Sequence, residues 1–365
     1  MSSTKFILSV LYALFYTSIP WMVAVKRKKK VNLYILSMPQ IYLTYLASIF
    51  CLLTQGGLVA GYVLVDDYSG ANFFSGFSFF TGADPTGGFV RYVDAATASS
   101  SGLTSITTGK DGKPVVHIGV DSQNVTPGGR PSVRVTSNKA YNHGLVIADI
   151  AHMPGSICGI WPAFWMLGPN WPATGEIDII EGVNDQGNNF ITFHTSSGCS
   201  MNAGTTAKSQ IFSGVLKTPN CDVHAPNQGS NQGCQVASYG PGSYGDGFNA
   251  VGGGVYATEW TSQSIKIWFF SRADGIPQDI VDGRPDPATW GAPVAALGQG
   301  CVIDQHFENL NIVFDTTFCG DWAGGVWSST PSCAAKAATC NDFVANNPQA
   351  FREAYWAINY VRVFG

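Results

Sequence analysis

Gly175-Glu176-Ile177-Asp178-Ile179-Ile180-Glu181-Gly182 is the stretch on which the fold and chemistry of this chain turn. It sets three carboxylates among isoleucines in a β-prone run closed by glycines. In a regular strand, side chains at i, i+2 and i+4 share a face, so Glu176 and Asp178 fall with Ile180, and Glu181 points into the core. An unpaired carboxylate there is costly. The simplest remedy is a β-bulge that inserts one residue and returns Glu181 to the face of the other two acids. The three then line one sheet surface within about 15 Å, at a rise of ~3.3 Å per residue. Like charges this close raise one another's pKa, so one carboxyl keeps its proton while another ionises. Glycoside hydrolysis needs such a pair, and carboxyl groups about 5 to 5.5 Å apart predict retention of configuration through a glycosyl-enzyme intermediate. An isolated run of this kind has blander readings: a solvated acidic face, a calcium site, or partners for arginine.

Outward from this strand, short alternating runs recur between Gly, Pro, Asn and Ser, the pattern of an all-β antiparallel sandwich. The predicted strands are Ser132 to Thr136, Gly144 to Ile150, Gly175 to Glu181, Asn189 to Thr195, Gly254 to Trp260, Ser264 to Phe270, Asn309 to Phe314 and Tyr355 to Phe364. A short helical piece is expected over Asn346 to Ala354, opened by Pro348. Asn202 to Gly254, rich in Gly, Asn and Ser with two cysteines, reads as long surface loops partly stapled by a disulfide. Of the 365 residues only 12% are charged and 13% are aromatic, with 42 glycines and a formal net charge of -4. That balance offers no basic field for nucleic acid and suits a neutral substrate.

The one dense basic run, Lys26 to Lys30, lies between the apolar stretches Phe6 to Val25 and Val31 to Leu53. Residues 1–61 read as a targeting region, with Ile41 to Leu53 as a signal-peptide core and Val59-Ala60-Gly61 for cleavage. Met38 is then a candidate start, and residues 1–37 an upstream extension. The rival reading is a membrane anchor over Val31 to Leu53, interrupted by Pro39 and Gln40, which would hold an extracellular domain at the membrane. Either way residues 62–365 form one exported domain, expected to be a monomer. Cys51 falls in the targeting region, which leaves Cys158, Cys199, Cys221, Cys234, Cys301, Cys319, Cys333 and Cys340. An even number in an exported chain implies disulfides of undetermined pairing, and without CxxC pairs zinc is not expected. Asn124-Val125-Thr126 is a glycosylation sequon followed directly by Pro127.

The acidic strand is preceded by Gly159-Ile160-Trp161-Pro162-Ala163-Phe164-Trp165 and Trp171-Pro172 and followed by Gly182-Val183-Asn184-Asp185. With Phe193-His194-Thr195, Ser264 to Phe270, Phe318 to Gly324 and Tyr360 to Val363, this succession resembles glycoside hydrolase family 16, in its fungal endo-1,3(4)-β-glucanase or laminarinase form. The resemblance covers essentially everything after residue 62. It implies a β-jelly-roll sandwich of two antiparallel sheets with a concave substrate cleft. It further implies that Glu176 is the nucleophile, Glu181 the general acid/base, and Asp178 the residue that positions the nucleophile. Relatives with an unbulged ExDxE strand are typically mixed-linkage lichenases, so the bulged form points to the laminarinase branch and needs no cofactor or metal.

Trp165, Trp171 and Trp322 match cleft positions of that family as sugar platforms, and Trp161 divides evenly between platform and core. Trp268 and Trp356 sit in strand-like runs and read as core. His194 is either a structural histidine or a neighbour of the nucleophile or the sugar. Arg134 would bond sugar hydroxyls, neutralise the acidic face, or form a structural salt bridge. Asp315 and Asp321 are assigned to turns near the cleft, without chemistry. No GxSxG, HExxH or Walker motif offers another catalytic template. Two alternatives to a hydrolase stay open: a β-glucan-binding jelly roll without catalysis, and a transglycosylase that passes the same intermediate to a sugar.

Overall fold

The computed structural model describes residues 61–109, 111–201, 212–240 and 242–365. The expected signal core or anchor, Met38 and Cys51 lie outside the described residues. Two eight-stranded sheets dominate the rest, and every pairing within them is antiparallel. The sheet that carries the acids runs, in spatial order, Val215–Thr218, Cys234–Ser238, Asn189–His194, Glu176–Glu181, Ile160–Leu167, Leu310–Phe318, Arg134–Tyr141 and Phe77–Phe79. The facing sheet is centred on Gly144–His152 and Tyr355–Phe364, flanked by Gly254–Trp260 and Ile265–Ser271 on one side and by Pro114–Gly119 and Thr104–Thr108 on the other. The acidic strand is thus central in its sheet.

The two sheets meet through their alternate residues. Ile177, Ile179, Ile180, Phe164, Met166 and Phe314 from the acid sheet are buried with Ile150, Tyr256, Ile267, Trp356 and Ile358 from the other. Phe164 stacks on Phe314 at 4.4 Å, and Trp356 meets Phe314 edge-on at 5.4 Å, so one aromatic column links the layers directly beneath the acids' strand neighbours. Trp356 Nε1 also donates to the Asp315 carbonyl across the sheets at 3.1 Å. Trp268 is 3% exposed and Trp356 fully buried, which agrees with their reading as core.

Two predicted strands match end to end, Gly254–Trp260 and Tyr355–Phe364, and the others match within a few residues. The tryptophan run Ile160–Leu167, not among the predicted strands, is a central strand despite Pro162. Proline is tolerated because the ladder to the acidic strand ends at Ala163, leaving position 162 paired only with Thr316 on the other side. The loop reading of Asn202 to Gly254 needs correction. Cys234–Ser238 and Val215–Thr218 extend the acid sheet, and Gly245–Ala250 is a short helix; the loops between carry Cys221, which pairs with Cys234. The helical piece near the C-terminus begins earlier than expected, at Cys340–Asn346, and Pro348 opens a 3-10 turn to Phe351.

All eight cysteines from 158 onward are paired: Cys158 with Cys333, Cys199 with Cys301, Cys221 with Cys234, and Cys319 with Cys340. Cys158, Cys319, Cys333 and Cys340 belong to a second small core with Ile160, Phe318, Trp327, Phe343 and Phe351, which ties the Gly320–Gly324 turn to the end of the tryptophan strand. Arg130 is wholly buried against this core, stacked 4.7 Å over Phe351 and donating to backbone carbonyls of Asp121, Asn124 and Val344. Replacing both Cys158 and Cys333 with alanine is expected to lower the unfolding free energy by roughly 2–5 kcal/mol, read by denaturant titration.

Candidate active site

The acidic strand contains the bulge that its sequence requires. Its register against the tryptophan strand shifts between Asp178, opposite Trp165, and Ile180, opposite Phe164. Ile179 and Ile180 are consecutive yet both fully buried in the core, while Glu176 and Glu181 are half-buried and line the same cleft as Asp178. The flanking glycines have steric reasons. A Cβ on Gly175, at φ +78°, would strike the His306 carbonyl, and one on Gly182 would lie 2.7 Å from the Tyr244 ring.

Two hollows of about 300 and 810 Å³ share Thr86, Trp161, Glu176, Glu181, Asn231 and Asp321 in their walls, so the two glutamates sit on the divide between them. Trp165, Trp171, Arg134 and Asp178 face the smaller hollow; His194 and Trp322 face the larger. The fold therefore brings every candidate site residue named from the sequence to this cleft. Trp171 is 43% exposed, a free ring face in a groove. Trp322 packs edge-on against Trp161 at 5.6 Å and lies 6.1 Å from Phe190, forming an aromatic wall. The divided reading of Trp161 resolves into a polar contact as well: its Nε1 donates to Glu181 Oε1 at 2.8 Å.

Burial, and then the charge of Asp178, raise the Glu176 carboxyl to about 8, opposed by His194 and by a hydrogen bond from the Trp171 indole. Glu181 is raised well above the ordinary carboxylate range, chiefly by burial and again by Asp178. Asp178, 2% exposed, is itself raised by burial and by Asp315. His194 Nε2 lies 3.2 Å from Asp178 Oδ2, so the histidine is a neighbour of the acid row rather than a remote structural residue. One ligand atom each from Glu176, Asp178 and His194 fall within 4.8 Å of one another.

Arg134 is held by rings on both sides, 4.8 Å from Phe80 and 4.8 Å from Trp165, and its charge favours the ionised form of Asp315 directly across the ladder. The placement of Asp315 in a turn is corrected: it lies in mid-strand on the cleft face, accepts from the Tyr92 hydroxyl at 3.1 Å, and is raised to about 6, mainly by burial. Asp321 does lie in a turn, Gly320–Gly324, at the cleft. Sequence reasoning missed Asp84, whose carboxylate accepts from Thr317 Oγ1 at 2.6 Å and from the Thr86 and Gly88 amides. It also missed Asn231, which lines both hollows, and Phe190 in the larger. The polar alternation Asp315, Thr317 was a readable signal; Asp84 and Asn231 sit on loops that only the fold brings in.

A sequence profile of the XgeA-like catalytic domain of glycoside hydrolase family 16 matches residues 77–364. The chain belongs to glycoside hydrolase family 16. It is 49% identical over 308 residues to an endo-1,3(4)-β-glucanase of Arthroderma benhamiae, covering 84% of this chain and 65% of that protein's length. Among solved structures it is similar to an elongating β-1,3-glucosyltransferase of family 16, with TM-score 0.76 and 45% identity over 83% of this chain and all of that one. It is equally similar to the family 16 laminarinase 16A of Phanerochaete chrysosporium, with TM-score 0.76 and 42% identity over 84% of this chain and all of that one; there, β-glucans occupy donor and acceptor sites. The family 16 fold is the jelly roll described above, and the catalytic domain is that of a glycoside hydrolase.

The acid row opposes folding at neutral pH. Because the folded-state pKa values lie above the ordinary carboxylate range, the stability these groups leave intact below about pH 4 is lost as pH rises toward the folded values, about 8 for Glu176. Asp178→Asn removes one ionisable group from the row without changing its shape. Its melting temperature at pH 7 is expected to exceed that of the parent, a gain of about 1–3 kcal/mol that disappears near pH 4. Calorimetry at the two pH values checks both halves of the expectation.

Proposed function

We propose that this domain is an endo-acting, retaining β-1,3-glucanase that also accepts mixed 1,3-1,4-β-glucan, with Glu176 as nucleophile and Glu181 as acid/base. The observation that carries the reading is the bulge, which puts two carboxylates from one strand on the divide of a two-sided cleft. In the first step the ionised Glu176 attacks the anomeric carbon as Glu181 gives its proton to the departing glycosidic oxygen. In the second, Glu181 takes a proton from water, which attacks the same carbon and releases Glu176. Burial and the charge of Asp178 favour the protonated form that an acid needs at Glu181, and His194 and the Trp171 indole favour the ionised form that a nucleophile needs at Glu176.

Asp178 is positioned to orient Glu176 and to keep the proton on Glu181. Trp165, Trp171 and Arg134 on one side, His194 and Trp322 on the other, and Trp161 between them are the proposed sugar contacts. Four disulfides support export to an oxidising compartment, either released or held at a membrane by the N-terminal region. The Arthroderma and Phanerochaete relatives act on or bind β-glucans, which supports a polysaccharide substrate. Transfer to a second glucan chain is the alternative fate of the intermediate. The larger hollow with its Trp322 and Phe190 wall favours it, as does similarity to a glucosyltransferase.

Reducing ends released from laminarin by the purified domain test the proposal. Glu176→Gln is expected to abolish them, by roughly 10³-fold or more, with the fold intact by near-UV circular dichroism. Undiminished release in that variant would sink the assignment and leave a cleft that merely binds glucan. Product lengths followed in time separate hydrolysis, which only shortens chains, from transfer, which also makes longer ones. Trp322→Ala is expected to raise KM for laminarin by about 10-fold, the loss of one sugar–ring contact, with a smaller change in kcat.

A further inference from the structure

We propose that Asn189 is a positioning residue for the acid/base: its carboxamide holds the bulge that turns Glu181 into the cleft. The inference rests on the reading of Glu181 as acid/base. The ladder between the acidic strand and Asn189–His194 runs only from Glu176, opposite His194, to Asp178, opposite Thr192. Past that point the bulge carries the acidic strand out of register, and backbone pairing of the two strands stops. The Asn189 side chain takes over. Its Oδ1 accepts from the Glu181 amide at 2.8 Å, and its Nδ2 donates to the Ile179 carbonyl at 2.8 Å.

These two backbone groups flank Ile180, so one carboxamide fixes both peptide planes on either side of it. The Asn189 backbone stays paired with Ser238 in the next strand, which keeps the clamp anchored to the sheet. Asn189 is fully buried, and no water competes for its bonds. A residue that offers one donor and one acceptor on a short stem fits this place; an apolar one leaves the Ile179 carbonyl and the Glu181 amide unpaired. The direction of the Glu181 side chain, and with it the Trp161 contact at 2.8 Å, depends on that peptide geometry. Asn189 touches neither substrate nor nucleophile, and its effect reaches the reaction only through Glu181.

That restriction gives the role a kinetic signature. A 2,4-dinitrophenolate leaving group departs without protonation, and azide attacks the glycosyl-enzyme without a base, forming the carbon–nitrogen bond as the ester bond to Glu176 breaks. A defect confined to Glu181 vanishes when both are supplied. Asn189→Ala is expected to lower kcat/KM on laminarin by about 30-fold, part of the ~10²–10⁴ that acid–base catalysis contributes. Turnover of 2,4-dinitrophenyl β-laminaribioside with azide should stay within about threefold of the parent and yield the β-glycosyl azide. Equal losses on both substrates, with no azide product, would overturn the proposal, as would an unchanged rate on laminarin.

If the alanine variant does not fold, Asn189→Asp decides. When protonated, that aspartic acid reproduces the donor and the acceptor; when ionised, it loses the donor to Ile179. Its laminarin activity is expected to approach the parent's at acid pH and to fall about tenfold below it as pH rises, while the azide reaction keeps the parent's profile. A parallel fall in both reactions would overturn the role. Glu181→Ala serves as the control. If that variant shows no leaving-group dependence and no azide product, the assignment of Glu181 itself is wrong; if only the Asn189 variants lack the signature, Asn189 alone loses its role.

Discussion

The rest of the site depends on one constraint: Ile179 and Ile180 are adjacent in the chain and both buried in the core. A strand cannot point neighbouring side chains the same way without a bulge. Once the bulge is there, the parity of everything beyond it reverses, and Glu181 comes to the face of Glu176. Its surroundings are fitted to the reversal. Small Ala163 lies opposite Glu181, Gly182 makes room for the Tyr244 ring, and the Asn189 carboxamide replaces the ladder bonds that the shift removes. The apolar demand of two isoleucines thus sets the geometry of two carboxylates.

Such a row is expensive to fold around. Three acids with raised pKa values, backed by a fourth in Asp315, weaken the folded state at neutral pH. The compensation lies where the chemistry does not. The Phe164, Phe314 and Trp356 column sits on the core side of the same strands, and Trp356 reaches across to the backbone of Asp315. Around the rim, Cys158–Cys333 and Cys319–Cys340 fix the turn that carries Trp322, where short helices and loops supply little ladder bonding. The cleft is made rigid by covalent and aromatic contacts that carry no charge.

Local pattern made the acidic strand, its bulge and the sandwich legible, because burial parity is a period-2 property that a single sequence displays. The tryptophan strand was not among the predicted ones; it contains Pro162, which a central strand tolerates only because the neighbouring ladder ends at Ala163, a fact of the fold and not of the local sequence. Val215–Thr218, an edge strand with few apolar positions, and the short Cys234–Ser238 beside it were hidden in a Gly- and Asn-rich stretch. Asp315 was misplaced because its run was ended at Phe314, although Thr317 continues the alternation. Asp84 and Asn189 carry no local signature at all. Their meaning lies in partners 233 and at most ten residues away, chosen by the fold.

The division of the cleft bears on where a chain is cut. An enzyme that trims ends needs a wall on one side of its carboxylates, because the substrate stops there. Here the pair stands between two hollows, each with its own aromatic surface: Trp165 and Trp171 on one side, Trp322 and Phe190 on the other. In the proposed glucanase a polymer held on both sides would contribute binding energy from sugars that do not react, and that energy would strain and align the one bond over Glu176 and Glu181. On the proposed mechanism the same arrangement would govern the second step, since the acceptor side of the cleft after the first cleavage would hold either water or a sugar hydroxyl at the anomeric carbon. Hydrolysis and transfer would then differ in how firmly that side holds its sugar, while the carboxylates and the bulge that sets them serve both.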